Sequence, residues 1–211
     1  ESDITSGRIY LDVITRERAG GYHGGTVQVV PHIINEIKDH VFQLSREGNP
    51  DVVIAEIGGT VGDMESQPFI EAMRQVNCLF IHVTLLPYLS MTAEIKTKPT
   101  QHSVQKLLSF GIQPDILVVR TEIPIDEGIR QKLALYCNVK QEAVIPNLDC
   151  DSVYELPLML EKDGLARVVC NRLEIAQYVE PDLSGWEQLV VRIKSARKPL
   201  NISLVGKYTE L

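Results

Sequence analysis

Along this chain, short apolar runs of strand length alternate with longer stretches whose apolar residues recur every three or four positions. Residues 29–44 show the helical pattern. Val29, Val30, Ile33, Ile34, Ile37, Val41 and Leu44 fall on one face, with Lys38 and Asp39 opposite. Residues 51–57 are a continuous apolar run of the kind buried on both faces of a parallel sheet. The pattern predicts a helix over 68–76, with Pro68 in its first turn, and a second buried strand over 78–86. A third strand is expected at 116–119, preceded by a helix over 101–110 that Gly111 ends. Further on come a helix over 126–136, a short strand at 143–145 and a final strand at 200–205. Capping boxes at Ser152-x-x-Glu155 and Ser184-x-x-Glu187 are expected to open two more helices, with Trp186 inside the second.

Such alternation predicts an α/β fold with a mainly parallel sheet flanked by helices. One junction strains it. The helix ending at Val76 meets the strand starting at Cys78 almost directly, whereas such connections usually take about 2–6 residues. Either the helix ends earlier, or residues of a longer connection are missing from the chain; the second is the expectation.

At 211 residues the chain can form one large domain, burying roughly 70% of its unfolded surface. Its 44% hydrophobic content is ordinary for a globule. The net charge of -7 argues against non-specific nucleic-acid binding, so an anionic ligand needs a local basic pocket in an acidic surface. Cys78, Cys137, Cys150 and Cys170 have no Cys-x-x-Cys spacing and read as buried small hydrophobes, which suits a reducing cytoplasm. No run of 18 apolar residues exists to span a membrane, and Glu1-Ser2-Asp3 does not read as a signal peptide.

Two segments carry the candidate chemistry. In Glu56-Ile57-Gly58-Gly59-Thr60-Val61-Gly62-Asp63-Met64-Glu65-Ser66, a carboxylate closes an apolar run and glycines follow. Ligands of open parallel sheets bind beyond the carboxyl ends of strands, and magnesium usually takes one or two carboxylates plus phosphates and waters. Glu56 reads equally as a carboxylate capping the next helix, and Asp63 or Glu65 as an N-cap. The second segment runs Lys96-Thr97-Lys98-Pro99-Thr100-Gln101-His102-Ser103. Lysines held by a proline-fixed loop, ahead of a helix N-terminus, suit a triphosphate. The plainer reading of Lys-x-Lys is a solvated basic loop, and Lys132 taken alone is a surface lysine. His23, His32, His40, His82 and His102 show no metal spacing, and there is no Gly-x-x-x-x-Gly-Lys-Ser/Thr loop to cradle ATP.

These segments, with Gly24-Gly25-Thr26-Val27-Gln28-Val29-Val30-Pro31-His32-Ile33, Gly111-Ile112-Gln113-Pro114-Asp115, and Trp186 before Val205-Gly206-Lys207-Tyr208, resemble the CTP synthases, in the same order over essentially the whole chain. The resemblance implies a Rossmann-like, P-loop-type fold and ATP-dependent amination of UTP. ATP phosphorylates the uracil 4-oxygen, ammonia attacks that carbon, and phosphate leaves to give CTP. A glutaminase domain supplies the ammonia, GTP stimulates that step, and the enzyme is a homotetramer whose pyrimidine-nucleotide site is shared between subunits. Carried over by motif, Glu56 is a magnesium ligand; Asp63, Met64 and Glu65 line the CTP site. Lys96, Thr97, Lys98, Pro99, Thr100, Gln101 and Lys132 bind the UTP or CTP triphosphate, and Leu148, Asp149 and Cys150 meet the adenine of ATP. Gln28 falls near the nucleotide and the subunit contact.

The departures are a phosphate loop and second metal-binding aspartate that precede Glu1 in the family, and a glutaminase domain that begins near Leu200. Residues 1–199 are therefore expected to be a partial synthetase domain and 200–211 a linker or first glutaminase strand, inactive alone. The alternatives are a dethiobiotin-synthetase-like ligase and a non-catalytic CTP- or UTP-binding assembly module. The assignment requires the basic turn and the Glu56 tip to share a site, within one chain or across protomers.

Overall fold

A computed structural model describes residues 3–175 and 178–206. The first element is a helix absent from the expectations, α1 (Ser6–Arg18), with the Thr5 hydroxyl accepting from the Arg8 N–H as its N-cap. It buries only Ile9 and Val13, a narrow i, i+4 stripe. The expected 29–44 helix is broken in two. A wide turn over Val29–Ile33, non-helical at Val30 and containing Pro31, leads into α2 (Ile34–Arg46).

Residues 51–57 are not a strand. A strand exists only where a neighbouring backbone offers hydrogen bonds, and no ladder among the described residues includes this segment. Instead of being buried on both faces, it leaves Ile54 89% exposed. Next comes α3 (Gln67–Arg74), ending two residues earlier than predicted, and β1 (Ile81–Leu86) begins three residues later than predicted. These shifts give residues 75–80 to the connection.

β1 is not buried on both sides. His82, Thr84 and Leu86 point into the core while Ile81, Val83 and Leu85 remain exposed. A small antiparallel hairpin, β2 (Tyr88–Leu89) and β3 (Glu94–Ile95), returns the chain to α4 (Lys98–Ser109). That helix starts three residues before the expected Gln101, so Lys98, Pro99 and Thr100 belong to its first turn, with Lys96 and Thr97 just ahead of it. β4 (Ile116–Thr121) then leads to α5 (Glu127–Cys137), whose N-cap carboxylate Asp126 accepts from the Ile129 N–H at 2.7 Å. β5 (Val144–Leu148) is followed by α6 (Leu156–Lys162), α7 (Leu165–Leu173), which was not foreseen, and α8 (Ser184–Ser195).

Neither capping box forms. The Ser152 hydroxyl accepts from the Tyr154 N–H and opens a single 3-10 turn, while α8 starts at Ser184 itself, whose N–H donates to Asp182. Residues 200–205 are exposed and form no strand; Lys207 and Tyr208 lie outside the described residues.

The sheet order is β1-β4-β5, all parallel, so the fold is α/β. On one face α4 and α5 bury Leu86, Val104, Leu117, Val119, Leu133, Cys137 and Val144 together. On the other, α6 and α7 cover Ile116, Val118, Ala143, Ile145 and Val168. The first three helices share a separate core of Ile9, Val13, Ile34, Ile37 and Met73. No helix among the described residues is long and apolar enough to cross a membrane.

Candidate functional site

In a parallel sheet all strands present their carboxyl ends on one side, where helices begin and ligands collect. β1 reaches that side at Leu86, and the Lys96 N–H donates to the Pro87 carbonyl at 2.9 Å, so α4 starts directly above the strand end. Within this first turn, side-chain direction divides the residues into two groups. Thr97, Thr100 and Gln101 follow the i, i+3, i+4 rule and face inward. Thr100 is 0% exposed and its hydroxyl donates to the Leu85 carbonyl at 3.0 Å, 3.1 Å from the Thr84 hydroxyl. Gln101 Nε2 donates to the Thr97 hydroxyl at 3.1 Å. These three anchor the turn; Lys98 and Pro99 face solvent. Lys96 Nζ pairs with Glu94 at 2.6 Å, a half-exposed contact that a phosphate could displace at little cost.

The Lys98 ammonium sits over the ring of Tyr136 on α5. Lys132 is exposed on α5, one helical turn before Tyr136. Sequence reasoning missed Tyr136; its one available signal was the four-residue spacing from Lys132. β5 ends at Leu148 on the same side of the sheet, and the Asp149 N–H donates to the Thr121 carbonyl at 3.0 Å. Asp149 and Arg120, both mostly exposed, approach to 3.9 Å, and the Cys150 thiol donates to the Ser152 carbonyl at 3.2 Å. The lysine turn and the 148–150 segment therefore share the carboxyl side of the sheet.

The acidic loop lies elsewhere. Ile57 and Val61 pack on Ile70, Leu107 and Ile112, which places the loop against the far end of α4. Measured along the helix axis, Lys106 is about 12 Å from Lys98. Glu56 is exposed, with its carboxylate turned back toward Gly58. Asp63 closes a turn by accepting from the Thr60 N–H at 3.1 Å. Met64 and Glu65 line a concave surface with Ser6, Tyr10 and Pro68. Among the described residues no hydrogen bond or ion pair joins Glu56, Asp63 or Glu65 to Lys96, Lys98 or Lys132. Gln28 is exposed, and its N–H donates to His32 Nδ1 at 3.0 Å.

One cluster has metal-ligand composition: Asp12, Glu36 and His40 hold ligand atoms within 4.8 Å of one another. Guanidinium groups already occupy it, with Arg16 at 2.8 Å from Glu36 and Arg8 at 2.9 Å from Asp12. The Glu36 carboxylate in turn raises the Arg16 pKa, chiefly through their hydrogen bond. This arrangement is an ion network tying α1 to α2 and does not fit a resident cation. Glu56 fits better, as an exposed carboxylate with room for phosphate oxygens and water to complete a magnesium shell.

Three CTP synthases align with the whole chain. That of Ruminiclostridium cellulolyticum is 55% identical over 217 residues, that of Clostridium acetobutylicum 54% over 217, and that of Symbiobacterium thermophilum 52% over 218. Each alignment takes in 100% of this chain and 40% of the relative, so the chain spans well under half of their length. The family model described as the CTP synthase N-terminus matches residues 1–175, everything from α1 through α7. With that span covered and more than half of the residues identical, the chain belongs to the CTP synthase family.

Proposed function

We propose that this chain is the pyrimidine-nucleotide-binding part of a ligase that converts UTP to CTP, using ATP and ammonia released from glutamine. The observation that carries this reading is the arrangement around Tyr136. The Lys98 ammonium, from the first turn of α4 at the carboxyl side of the sheet, sits over the exposed ring of Tyr136, Lys96 stands just ahead of that turn, and Thr97, Thr100 and Gln101 hold it in place. Two ammonium groups beside a fixed helix N-terminus suit a triphosphate, and each contact with a phosphate contributes on the order of 1–4 kcal/mol.

Asp63, Met64 and Glu65 would meet the nucleotide from a second copy of the chain, because within one chain they lie at the other end of α4. A homotetramer with shared sites satisfies that requirement. Glu56 would hold magnesium, which when bound neutralises phosphate charge. Leu148, Asp149 and Cys150 would receive ATP on the carboxyl side of β5. GTP activation and glutamine hydrolysis belong to a further domain that residues 200–211 would lead into, and free thiols suit a cytoplasmic location.

Family membership displaces the dethiobiotin-synthetase-like alternative. The test is equilibrium dialysis of magnesium–UTP and magnesium–CTP against the chain and its Lys98→Ala and Lys132→Ala variants. Each substitution is expected to weaken both nucleotides together, by about tenfold. Unchanged affinity in both variants removes Lys98 and Lys132 from the site.

A further inference from the structure

We infer that Lys106 is the positioning residue of the acidic loop: its methylene stem lies along Gly62 and sets where Asp63 and Glu65 stand. A Cβ at Gly62 would come within 2.9 Å of Lys106 Cε, 3.4 Å of Cγ and 3.7 Å of Cδ, so the stem runs against the loop backbone over three carbons. Gly62 also has φ +113°, a conformation that side-chain-bearing residues rarely adopt. Past the stem, the Lys106 ammonium lies 4.9 Å from the centre of the Phe110 ring, which pins the far end of the side chain.

The contact passes its geometry on to the carboxylates because the next residues are internally fixed. The Asp63 N–H donates to the Thr60 carbonyl at 3.0 Å, and the Ser66 hydroxyl donates to the Asp63 carbonyl at 3.0 Å. The position of the whole turn is therefore inherited from the seat of Gly62, supported underneath by Ile57 and Val61. A recognition group set an ångström loose binds poorly, which makes the packed stem, rather than its charge, the functional part. The nucleotide half of this inference rests on the reading of the loop as part of the UTP and CTP site.

The experiment pairs Lys106→Ala, which removes the stem, with Lys106→Met, which keeps a stem and drops the charge. Two measurements are made on the chain: amide hydrogen exchange over residues 58–66, and binding of magnesium–UTP by equilibrium dialysis. Exchange in β4 reports whether the core is intact. The Ala variant is expected to exchange roughly tenfold faster in the loop with β4 unchanged, and to bind UTP roughly tenfold more weakly. The Met variant is expected to match the unaltered chain in both. Loop exchange unchanged in the Ala variant overturns the proposal, as does a Met variant that loses as much as Ala. If the unaltered chain binds no UTP, the nucleotide reading fails and the exchange contrast still decides the role of Lys106. If Lys106→Ala does not fold, Lys106→Ser, which also removes the stem, is held to the same exchange outcomes.

Discussion

Lys98 and Tyr136 meet across two helices, with the ammonium 5.9 Å from the ring centre. Since both side chains are exposed, the contact is worth about 0.5–1 kcal/mol, and it orients the lysine rather than stabilising the fold. Tyr136→Ala is therefore expected to weaken UTP binding by roughly two- to fivefold with the urea midpoint unchanged, and Tyr136→Phe to keep wild-type affinity. Equilibrium dialysis beside a urea titration separates the two effects; equal losses for Ala and Phe would assign the effect to the phenolic hydroxyl.

Thr100 anchors the same turn from inside. Thr100→Val removes the donor to the Leu85 carbonyl and leaves the Thr84 hydroxyl a poorer environment, with no space gained. The expected cost is about 1–3 kcal/mol of unfolding free energy, read from urea denaturation. A neutral result would mean that the hydroxyl exchanges freely with water in the native state.

The elements legible in the sequence are those whose apolar spacing meets a single core. α4, α5 and β4 come within three residues of their predicted starts because Val104, Leu133, Leu117 and Val119 all point to one interior. α1 was missed because it buries only two residues, and its exposed Tyr10, Leu11 and Ile14 blur the helical period. The 51–57 run failed for the opposite reason: its composition suits a strand, but pairing depends on a neighbour that local pattern cannot supply. For the site, residue type revealed the lysines. The inward set of Thr97, Thr100 and Gln101 was readable from its spacing, whereas the joining of Lys98 to Tyr136 exists only once α4 packs on α5. The separation of the acidic loop from the lysine turn likewise depends on which end of α4 each one packs against.

His82 predicts a pH dependence. Its imidazole lies buried beneath α4, 2.9 Å from the Ser103 hydroxyl, and burial lowers its pKa from the ordinary 6.5. The folded state therefore prefers the neutral ring, while the unfolded chain takes up a proton near pH 6.5. Above that pH the residue contributes no slope. Below it, the unfolded state binds more protons, and stability falls by up to about 1.4 kcal/mol per pH unit until the folded ring also protonates. Urea midpoints measured from about pH 8 to about pH 5 should fall less steeply for His82→Gln than for the parent. Parallel curves would show that the folded ring takes up a proton as readily as the unfolded one.

Cys137 is expected to be inert. It is fully buried in the α5 side of the core, and burial pushes its thiol pKa up to about 11. Alkylation by iodoacetamide near neutral pH should mark Cys137 only after urea is added, whereas the exposed Cys78 should react in the native chain. Peptide mass spectrometry reads both; native labelling of Cys137 would show that α5 opens locally.

Among the described residues β1 pairs only with β4, and on its outward face Ile81, Val83 and Leu85 meet solvent. A bare row of backbone donors and acceptors beside greasy side chains is a growing point, the place where a sheet takes on another strand. The layered scaffold is thus covered on both faces at β5, where Val144 and Ile145 are buried, and open to enlargement at β1. Whatever comes to lie there would widen the same ledge on which the lysines stand.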